Sequence, residues 1–423
     1  MASSISLLKN KRNIFLIYCT LFINTYVFFK EPFEFYVSYC IVLLFFPYLY
    51  KRHTINPFLI KIFLVLLCFG LFSILIDNNN FPLFIKVYLG ALMLYIFYDL
   101  VIKEYNCNVK LLFKWYLKGS FIMAIIACFQ YISFLIGFNA GFNYLWLFNK
   151  WTLALGGTLG IRINGFFAEP TYLASSLSAA FFISIYNLLR KEKFIISKFE
   201  SIVLIIAYIL SFSGIAQLGI LISIILLLIN FGLIRYLIIM IPIFILLFNV
   251  LYANVFEFRD RYDSTLQLFS GQTFKLGKTH GSSFILYNNA IVTYEHLKTN
   301  FLFGGGLGSH PIAFNKYSIA KDWKVKGFNN NSADASSMLL RLLSETGVIG
   351  ALLFIVFIFK CYVKYNPFYS SYHWLISNSI LVMILLNLFR QGNYILLGFP
   401  FFVLLYYYNY IDFKNQNTLQ ASE

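Results

Sequence analysis

Long apolar stretches separated by short polar segments occupy most of this 423-residue sequence. A helix that crosses a bilayer needs about 20 mostly apolar residues, or fewer where it is broken. Twelve stretches fit this pattern, at about 13–29, 33–50, 57–76, 81–101, 112–137, 170–189, 200–213, 215–232, 234–253, 336–360, 372–390 and 393–411. The pattern predicts an all-α integral membrane protein with about twelve transmembrane helices, forming one polytopic domain over residues 1–423.

The seventh and eighth predicted spans come from one long apolar run that Ser211-Phe-Ser-Gly214 interrupts. We interpret these four residues as a tight polar turn inside the membrane. Such a turn is tolerated only where protein or a water-filled cavity covers it.

Composition agrees with a membrane protein. Sixty per cent of the residues are hydrophobic and 12% are charged, whereas a soluble domain carries roughly a quarter charged residues. The net charge of +16 comes from basic residues scattered over short loops, which argues against a nucleic-acid partner. The six cysteines lie in or beside apolar stretches, so neither a disulfide framework nor a thiolate metal site is predicted.

Basic residues in short loops mark the cytoplasmic side of a membrane protein. Here they alternate with connections that are nearly bare of them, such as Asp77-Asn-Asn-Asn80. The basic segments hold Lys9, Lys11, Arg12, Lys51, Arg52, Lys103, Lys110, Arg190, Lys191, Lys193, Lys198, Arg235, Lys360, Lys364 and Lys414. We therefore expect both termini in the cytoplasm and an uncleaved first span. Charges within the spans are expected to cluster toward the outer ends.

Two longer connections, at 138–169 and 254–335, are predicted on the outer face. The larger one contains an expected amphipathic helix near 283–298. Its apolar residues recur at helical spacing, and they are Phe284, Tyr287, Ala290, Ile291, Tyr294 and Leu297. Such a helix could lie along the membrane surface or cap a cavity.

The first outer connection ends in Arg162-Ile-Asn-Gly165-Phe-Phe-Ala-Glu169-Pro170. Proline suits the first turn of a helix, and a helix N-terminus attracts anions. Arg162 with this N-terminus could hold a phosphate, and Glu169 could act as an acid or base. The structural alternative is an arginine that reaches the membrane interface and a carboxylate that caps the helix.

Gly304-Gly-Gly-Leu-Gly308 permits close approach of the backbone to a ligand. It lacks the Gly-Lys-Ser/Thr ending of a phosphate-binding P-loop, so we interpret it as a turn that aims Ser309 and His310, with Gly306 and Gly308 in support. A neutral imidazole at His310 could take a proton from a hydroxyl group. A structural glycine-rich turn is the alternative.

His280 and His296 share the loop with His310, but their spacing matches no compact zinc site and no cysteine joins them. We therefore predict no metal.

A third group of polar residues lies at the mouth of the tenth span. Asp334 is predicted as its N-cap, and Ser337, Arg341 and Glu345 follow at i, i+4 and i+8 on one helix face. A charged pair at this depth is costly unless it faces a cavity. Either Glu345 holds Arg341 toward an outer cavity, or the two form a structural pair that fixes helix packing.

Arg390 ends the eleventh span at a similar depth. Three arginines that converge on one outward cavity would suit a polyanionic group, because each guanidinium can donate to two phosphate oxygens at once. We therefore predict that Arg162, Arg341 and Arg390 form a pyrophosphate site.

Three motifs together resemble the bacterial O-antigen polymerase (Wzy-type) and O-antigen ligase superfamily. They are Arg-x-x-Gly-x-x-x-Glu-Pro at 162–170, Gly-Gly-Gly-x-Gly-Ser-His at 304–310 and Leu-x-x-Glu-x-Gly-x-x-Gly at 342–350. The Gly-Ser-His element and Arg390 look more like the polymerases than the ligases. Many members carry an arginine after the serine of the polar turn, where this sequence has Gly214 after Ser213.

The resemblance implies a GT-C-like glycosyltransferase in the bacterial cytoplasmic membrane, with its large loop in the periplasm. It would join two undecaprenyl-pyrophosphate-linked glycans, a donor and an acceptor, without a cofactor. The arginines would stabilise the leaving pyrophosphate, His310 or Glu169 would take the acceptor's proton, and the lipid tails would enter from the bilayer. A chain-length regulator protein is a further expected partner.

Other classes of protein fit parts of the pattern. An O-antigen ligase would transfer the finished glycan to a lipid A core. A flippase for the same lipid-linked glycan would need a polar cavity, but we expect it to place charges toward both sides. A membrane scaffold would not explain three arginines on the outer side.

Overall fold

The computed structural model describes residues 11–29, 34–156, 159–190, 193–254, 256–269, 281–320, 330–366 and 372–422. These residues form mostly α-helix, together with one short antiparallel hairpin of strands β1 (Val27–Phe29) and β2 (Phe35–Tyr36). The helices are α1 (Lys11–Phe22), α2 (Val37–Arg52), α3 (Pro57–Leu75), α4 (Phe81–Glu104), α5 (Val109–Leu135), α6 (Asn139–Phe142), α7 (Pro170–Leu189), α8 (Lys198–Leu210), α9 (Gly214–Asn230), α10 (Tyr236–Asn254), α11 (Phe256–Phe269), α12 (Gly281–Leu297), α13 (His310–Tyr317), α14 (Met338–Lys360), α15 (His373–Arg390) and α16 (Phe399–Ser422).

Within these described ranges, six helices are long and apolar enough to cross a membrane, namely α3, α4, α5, α7, α14 and α15. The protein is therefore an all-α, multi-pass membrane protein. Helix α9 is apolar but has only 17 residues. Each of the twelve stretches predicted as spans carries helix in the structure.

The first predicted span, 13–29, is wrong in its second half. Helix α1 ends at Phe22, and Val27–Phe29 pairs with Phe35–Tyr36 instead. The side chain of Asn149 accepts from the Val27 N–H at 2.9 Å and donates to its carbonyl at 2.6 Å. This pairing supplies backbone partners that a helix would otherwise provide.

Local sequence explains where the central helices begin. The side chains of Asn56 and Asn80 cap α3 and α4, and each helix has proline in its first turn. Ser197 and Glu200 form a reciprocal capping box at the start of α8.

One end of the helix bundle gathers the lysine- and arginine-rich segments, and we call it the basic end. It carries Lys51–Arg52, Lys103–Lys110, Lys198 and the C-terminal half of α16. His53 bonds Glu104 at 2.6 Å, His373 bonds Asp412 at 3.0 Å, and Lys110 lies over the ring of Tyr372 at 5.0 Å.

The expectation that charges within the helices cluster toward the outer ends is wrong for Asp99. This α4 residue is fully buried near the basic end. Its carboxylate accepts from Lys103 at 2.9 Å, from the Tyr408 hydroxyl at 2.6 Å and from the Asn56 N–H at 3.0 Å. These three donors compensate the buried negative charge of Asp99. The position of Asp99 in the sequence does not reveal these partners.

The opposite end, which we call the loop end, carries the two β-strands and the described parts of residues 138–169 and 281–337. Asn78, in the α3–α4 connection, donates to Asn300 at 2.8 Å, and Asn79 donates to the Leu307 carbonyl at 2.8 Å. The two connections predicted to lie on the same face therefore contact each other.

The predicted polar turn between α8 and α9 is present and is covered by protein. Ser211 and Ser213 are fully buried. The Ile163 N–H, in the first long connection, donates to the Leu210 carbonyl at 3.3 Å. With 13 residues, α8 is only about 20 Å long, so this hairpin enters the bundle from the basic end and turns back inside it.

The predicted amphipathic helix is α12, and it directs its polar face inward. The buried residues are Phe284, Asn288, Asn289, Val292, Thr293 and His296. Asn288 exchanges hydrogen bonds with the Ser318 hydroxyl, and Asn289 donates to the Asn330 carbonyl at 3.0 Å. Tyr294, on the other face, is 64% exposed. The helix is therefore held to its neighbours by amide hydrogen bonds and by the buried apolar residues Phe284 and Val292.

Candidate functional site

The backbone of α14 is broken at Gly347, which has φ 64° and ψ −167°. A straight helix would bond the Val348 N–H to the Ser344 carbonyl and the Ile349 N–H to the Glu345 carbonyl. Here both carbonyls and both N–H groups pair with the connection between α12 and α13, which we call the glycine loop (residues 300–309).

The glycine loop satisfies all four of these freed backbone groups. Gly305 and Gly306 donate to the carbonyls of Ser344 and Glu345 at 3.0 and 2.8 Å. The N–H groups of Val348 and Ile349 donate to the carbonyls of Phe301 and Leu302 at 3.0 and 3.2 Å. The four backbone groups that the break frees are thus all hydrogen-bonded.

Glycine is required on both sides of this contact. A Cβ on Gly304 would lie 2.6 Å from the Ser344 carbonyl oxygen, and one on Gly347 would lie 2.3 Å from the Leu302 carbonyl oxygen. A Cβ on Gly308 would lie 2.5 Å from the Leu83 carbonyl oxygen in α4. The glycine density predicted to admit a ligand therefore admits neighbouring backbone, and Ser309 and His310 follow it directly in the chain.

Arg341 and Glu345 form a buried ion pair one turn above the break. Arg341 Nε donates to Glu345 Oε1 at 2.9 Å, and Nη1 donates to the Gly392 carbonyl at 3.0 Å. The guanidinium carbon lies 4.3 Å from the centre of the Tyr394 ring, and the Tyr394 hydroxyl donates to Glu345 Oε2 at 3.1 Å. Arg341 is 5% exposed and Glu345 is fully buried. The geometry matches the structural alternative, in which the pair fixes α14 against the segment after α15.

His310 lies on the other side of the same helix turn. Its Nδ1 is 3.1 Å from Ser344 Oγ, and its Nε2 is 3.0 Å from Asn289 Oδ1. Because the Asn289 amide nitrogen donates to two carbonyls, its Oδ1 accepts, so Nε2 carries the proton and Nδ1 accepts from Ser344. His310 therefore links α12, α13 and α14.

Burial lowers the pKa of His310 to about 3, and the nearby charges of Arg341 and His296 act in the same direction. The imidazole is therefore neutral at physiological pH. Because it is fully buried and both ring nitrogens are bonded, it suits positioning better than proton transfer to a solvent-borne substrate.

Two buried polar atoms next to His310 have no hydrogen-bond partner among the described residues. They are Ser309 Oγ and His296 Nε2. Both lie against Gly305, at 2.6 and 2.9 Å from the position that its Cβ would occupy. Burial lowers the pKa of His296, and Lys316 adds to this effect. The sequence did not single out His296 for this position.

Arg162 and Glu169 lie in the segment that leads into α7. The Arg162 N–H donates to the Ala154 carbonyl at 2.9 Å, and its side chain is half-buried. Glu169 precedes Pro170, which opens α7 as predicted. The Glu169 side chain is exposed, and its carboxylate accepts from the Thr171 hydroxyl at 3.2 Å. Glu169 is thus the more accessible of the two predicted proton acceptors.

Arg390 ends α15 at the loop end, as predicted. Its side chain is half-buried, and its Nη1 donates to the Ser282 carbonyl of α12 at 3.1 Å. Arg341 contacts the segment that follows α15. Its Nη1 donates to the carbonyl of Gly392, two residues after Arg390.

The structure thus assembles one set of predicted residues around the α14 break, namely Gly306, Gly308, Ser309, His310, Arg341 and Glu345. Arg390 is tied to this set through the segment after α15. Arg162 and Glu169 belong to the neighbouring segment before α7.

Asp334 was predicted as the N-cap of the tenth span, and this prediction is wrong. The cap is Ser337, whose hydroxyl accepts from the Leu340 N–H at 3.4 Å. Asp334 instead accepts from the Ser336 N–H at 3.0 Å within the preceding turn. Burial raises the pKa of Asp334, partly offset by that N–H and by the charges of Arg341 and Lys150.

Sequence reasoning missed a second polar cluster at the loop end. Lys150 bonds the carboxylate of Glu34 and the hydroxyl of Tyr36, the latter at 2.6 Å. Burial acts to raise the pKa of Glu34, but the hydrogen bonds from Lys150 and Tyr36 outweigh it and lower the pKa. Glu34 was assigned to the second span, and Lys150 is the one lysine of the predicted outer connection 138–169, a signal that could have been used.

The cluster around Lys150 is connected electrostatically to the α14 site. Lys150 and Arg341 both act on Asp334. Tyr172, in the first turn of α7, lies within electrostatic range of Glu169, Asp334 and Glu34. The loop end therefore presents alternating cations and carboxylates between α7, α14 and the β-hairpin.

Among the described residues, no group of three or more His, Cys, Asp or Glu side chains is arranged to hold a metal ion. His280 lies outside the described residues. Comparison of the sequence with models of known protein families and with curated proteins finds no match to either.

Proposed function

We propose that this protein is a polysaccharide polymerase, a glycosyltransferase that joins undecaprenyl-pyrophosphate-linked repeat units of an O-antigen or capsule. One observation carries the proposal. The residues of two separate motifs, Gly306 to His310 and Arg341 to Glu345, meet at a single break in an apolar helix. Broken helices at membrane depth are found where polar substrates are handled.

The proposed topology has twelve spans in a GT-C-like arrangement in the bacterial cytoplasmic membrane. The basic end faces the cytoplasm with both termini, and the loop end faces outward. The separation of the basic segments from the loops of the other end supports this orientation, because lysine and arginine are retained on the cytoplasmic side.

In the proposed reaction, a hydroxyl oxygen of the acceptor glycan attacks the anomeric carbon of the donor. The bond from that carbon to the pyrophosphate oxygen breaks, and undecaprenyl pyrophosphate leaves with the electron pair. The acceptor proton passes to the exposed carboxylate of Glu169.

The arginines have two roles in this scheme. Arg162 and Arg390 are half-buried, so they can turn toward pyrophosphate oxygens and offset the developing charge. Arg341 remains paired with Glu345 and adds its positive potential to the site. His310 positions Ser344 and the glycine loop.

The test is deletion of the gene followed by gel analysis of the surface glycan. A polymerase predicts loss of the ladder of repeat numbers, with a core bearing a single repeat left behind. Loss of everything beyond the core would instead assign the protein as a ligase.

A flippase is the second candidate, because Asp99 is buried near the basic end and places a charge toward the other face. A flippase deletion would leave lipid-linked repeat units on the cytoplasmic face. Protection of these units from a glycosidase added to intact spheroplasts would favour transport over polymerisation.

A further inference from the structure

Three large apolar side chains near the start of the glycine loop are each more than half exposed. Phe301, Leu302 and Phe303 are 58%, 52% and 53% exposed. They lie in a segment that the sequence places in a polar outer connection. Three adjacent exposed apolar residues are unusual for a water-facing loop.

Contacts with α3 show how far this segment reaches along the bundle. The ring of Phe303 lies 5.6 Å from the ring of Phe69. Phe69 precedes Leu75, the last residue of α3, by six residues, or about 9 Å along the helix axis. Phe303 therefore lies well below the end of a helix that carries no charged residue between Lys61 and Leu75.

The position of the break in α14 agrees with this depth. Residues 348–360 follow the break, and they extend about 20 Å, which is less than the hydrocarbon thickness of about 30 Å. A helix that crosses the bilayer and ends at Lys360 would have its break inside the hydrocarbon layer. The carbonyls of Phe301 and Leu302 accept hydrogen bonds from Val348 and Ile349, the two residues that follow that break.

The apolar surface of residues 301–303 is continuous with the outward faces of α3 and α14. Phe72 and Leu75 of α3 and Leu352 and Leu353 of α14 are all exposed. The exposed apolar surface therefore runs from α3 across residues 301–303 to α14 without a polar interruption among these residues.

Two carbonyls of the segment are hydrogen-bonded within the protein. The carbonyls of Phe301 and Leu302 accept from α14, and the Gly304 N–H donates to the Asn300 carbonyl at 3.0 Å. Polar groups begin at its border, where Asn300 bonds Asn78 and Lys298 pairs with Glu295. Each of these bonds lowers the cost of placing an irregular segment against hydrocarbon.

We propose that Phe301-Leu302-Phe303 is a re-entrant wedge that inserts between the lipid acyl chains of the leaflet at the loop end. Its partner is hydrocarbon, and the border at Lys298 and Asn300 lies at the headgroups. The wedge holds the broken α14 from the lipid side. This inference does not depend on the proposed glycosyltransferase activity.

The experiment measures thiol accessibility in the full chain reconstituted in phosphatidylcholine vesicles. Single cysteines replace Phe303, Lys298 or Phe72 in a parent whose six native cysteines are changed to alanine. A membrane-impermeant maleimide is added to both faces of the vesicles. Lys298→Cys is the control at the headgroup border, where its exposed position leaves the thiol open to water. Phe72→Cys is the lipid-facing control on a predicted spanning helix.

Because the thiolate is the reactive species and a charge is disfavoured in hydrocarbon, labelling of Phe303→Cys should be slower than that of Lys298→Cys. The expected ratio is about tenfold for each unit by which hydrocarbon raises the thiol pKa. Labelling of Phe303→Cys should match that of Phe72→Cys. Labelling of Phe303→Cys at the rate of Lys298→Cys would overturn the proposal.

A second measurement does not need the cysteine-free parent. Phe303→Trp in the native chain is reconstituted with lipids brominated along their acyl chains, and its added fluorescence is obtained by subtracting that of the unsubstituted protein. Insertion predicts strong quenching of the added signal. Quenching by aqueous iodide but not by the brominated lipid would contradict it.

Discussion

The N–H of Gly306 donates to the carbonyl oxygen of Glu345 at 2.8 Å, and this bond replaces one that α14 would make with itself. The two residues are 39 positions apart in the sequence. The same helix residue holds Arg341 through its side chain. The backbone of the glycine loop and the buried ion pair are therefore parts of one structure, and several testable consequences arise from it.

Gly347→Ala should strongly destabilise the site. Gly347 has a positive φ that L-residues rarely adopt, and a Cβ would lie 2.3 Å from the Leu302 carbonyl oxygen. Backbone strain of this kind costs about 1–3 kcal/mol before any displacement of the loop. Thermal unfolding in detergent should show a lowered midpoint, together with shortened or absent glycan ladders in cells.

Gly214→Ala is the matched control for this substitution. A Cβ on Gly214 meets nothing within 4 Å, and its φ is not in the left-handed region. An equal loss of stability in both variants would show that the helix break is not the cause.

Substitutions in the Arg341–Glu345 pair distinguish its effect on stability from its effect on activity. Removing one partner leaves a buried charge without its counterion, which costs about 3–5 kcal/mol. Arg341→Met and Glu345→Leu should each lower the unfolding midpoint. The double variant should recover much of the stability, since two apolar side chains of similar volume can replace a buried ion pair.

The glycan ladder made by that double variant then tests the role of the arginine. We expect the ladder to remain absent although the protein is folded and present in the membrane. A normal ladder from a stable double variant would reduce Arg341 to a packing residue and remove it from the proposed mechanism.

Much of this arrangement could be predicted from local pattern, because helices and i, i+4 pairs are local. The positions of the helices follow from apolar runs, and the Arg341–Glu345 contact follows from its spacing. The docking of the glycine loop on α14 could not be predicted, since no periodic pattern joins Gly306 to Glu345. The same holds for Lys150 and Glu34, which pair across 116 residues.

Acid should destabilise the protein through His310. Its pKa of about 3 in the fold lies below the ordinary value of 6.5, so the unfolded chain binds the proton more readily. The stabilisation is fully present above pH 6.5 and is lost as pH falls from 6.5 toward 3, by up to about 1.4 kcal/mol per pH unit. His296, whose pKa burial also lowers, contributes in the same direction.

Thermal unfolding of the purified protein between pH 7.5 and 5, values chosen to bracket the ordinary imidazole pKa of about 6.5, measures this dependence. His310→Asn keeps a polar side chain that does not titrate, so its midpoint should be lower at pH 7.5 but should fall less steeply with acid. An unchanged slope in this variant would mean that His310 is not the group responsible.

Substitution of Glu169 should lower activity alone, whereas substitution of His310 should lower both activity and stability. Glu169 is exposed at the start of α7, so Glu169→Gln should leave the unfolding midpoint nearly unchanged. A lost general base lowers turnover by about 100- to 10,000-fold, which in cells should leave a single repeat unit on the core. His310→Ala removes a fully bonded buried side chain and should lower stability and ladder length together. Glu169→Asp, which keeps the carboxylate but shortens the reach, should retain partial polymerisation. Full-length ladders from Glu169→Gln would transfer the proton-accepting role to another group of the loop end, with Asp334 the next to test.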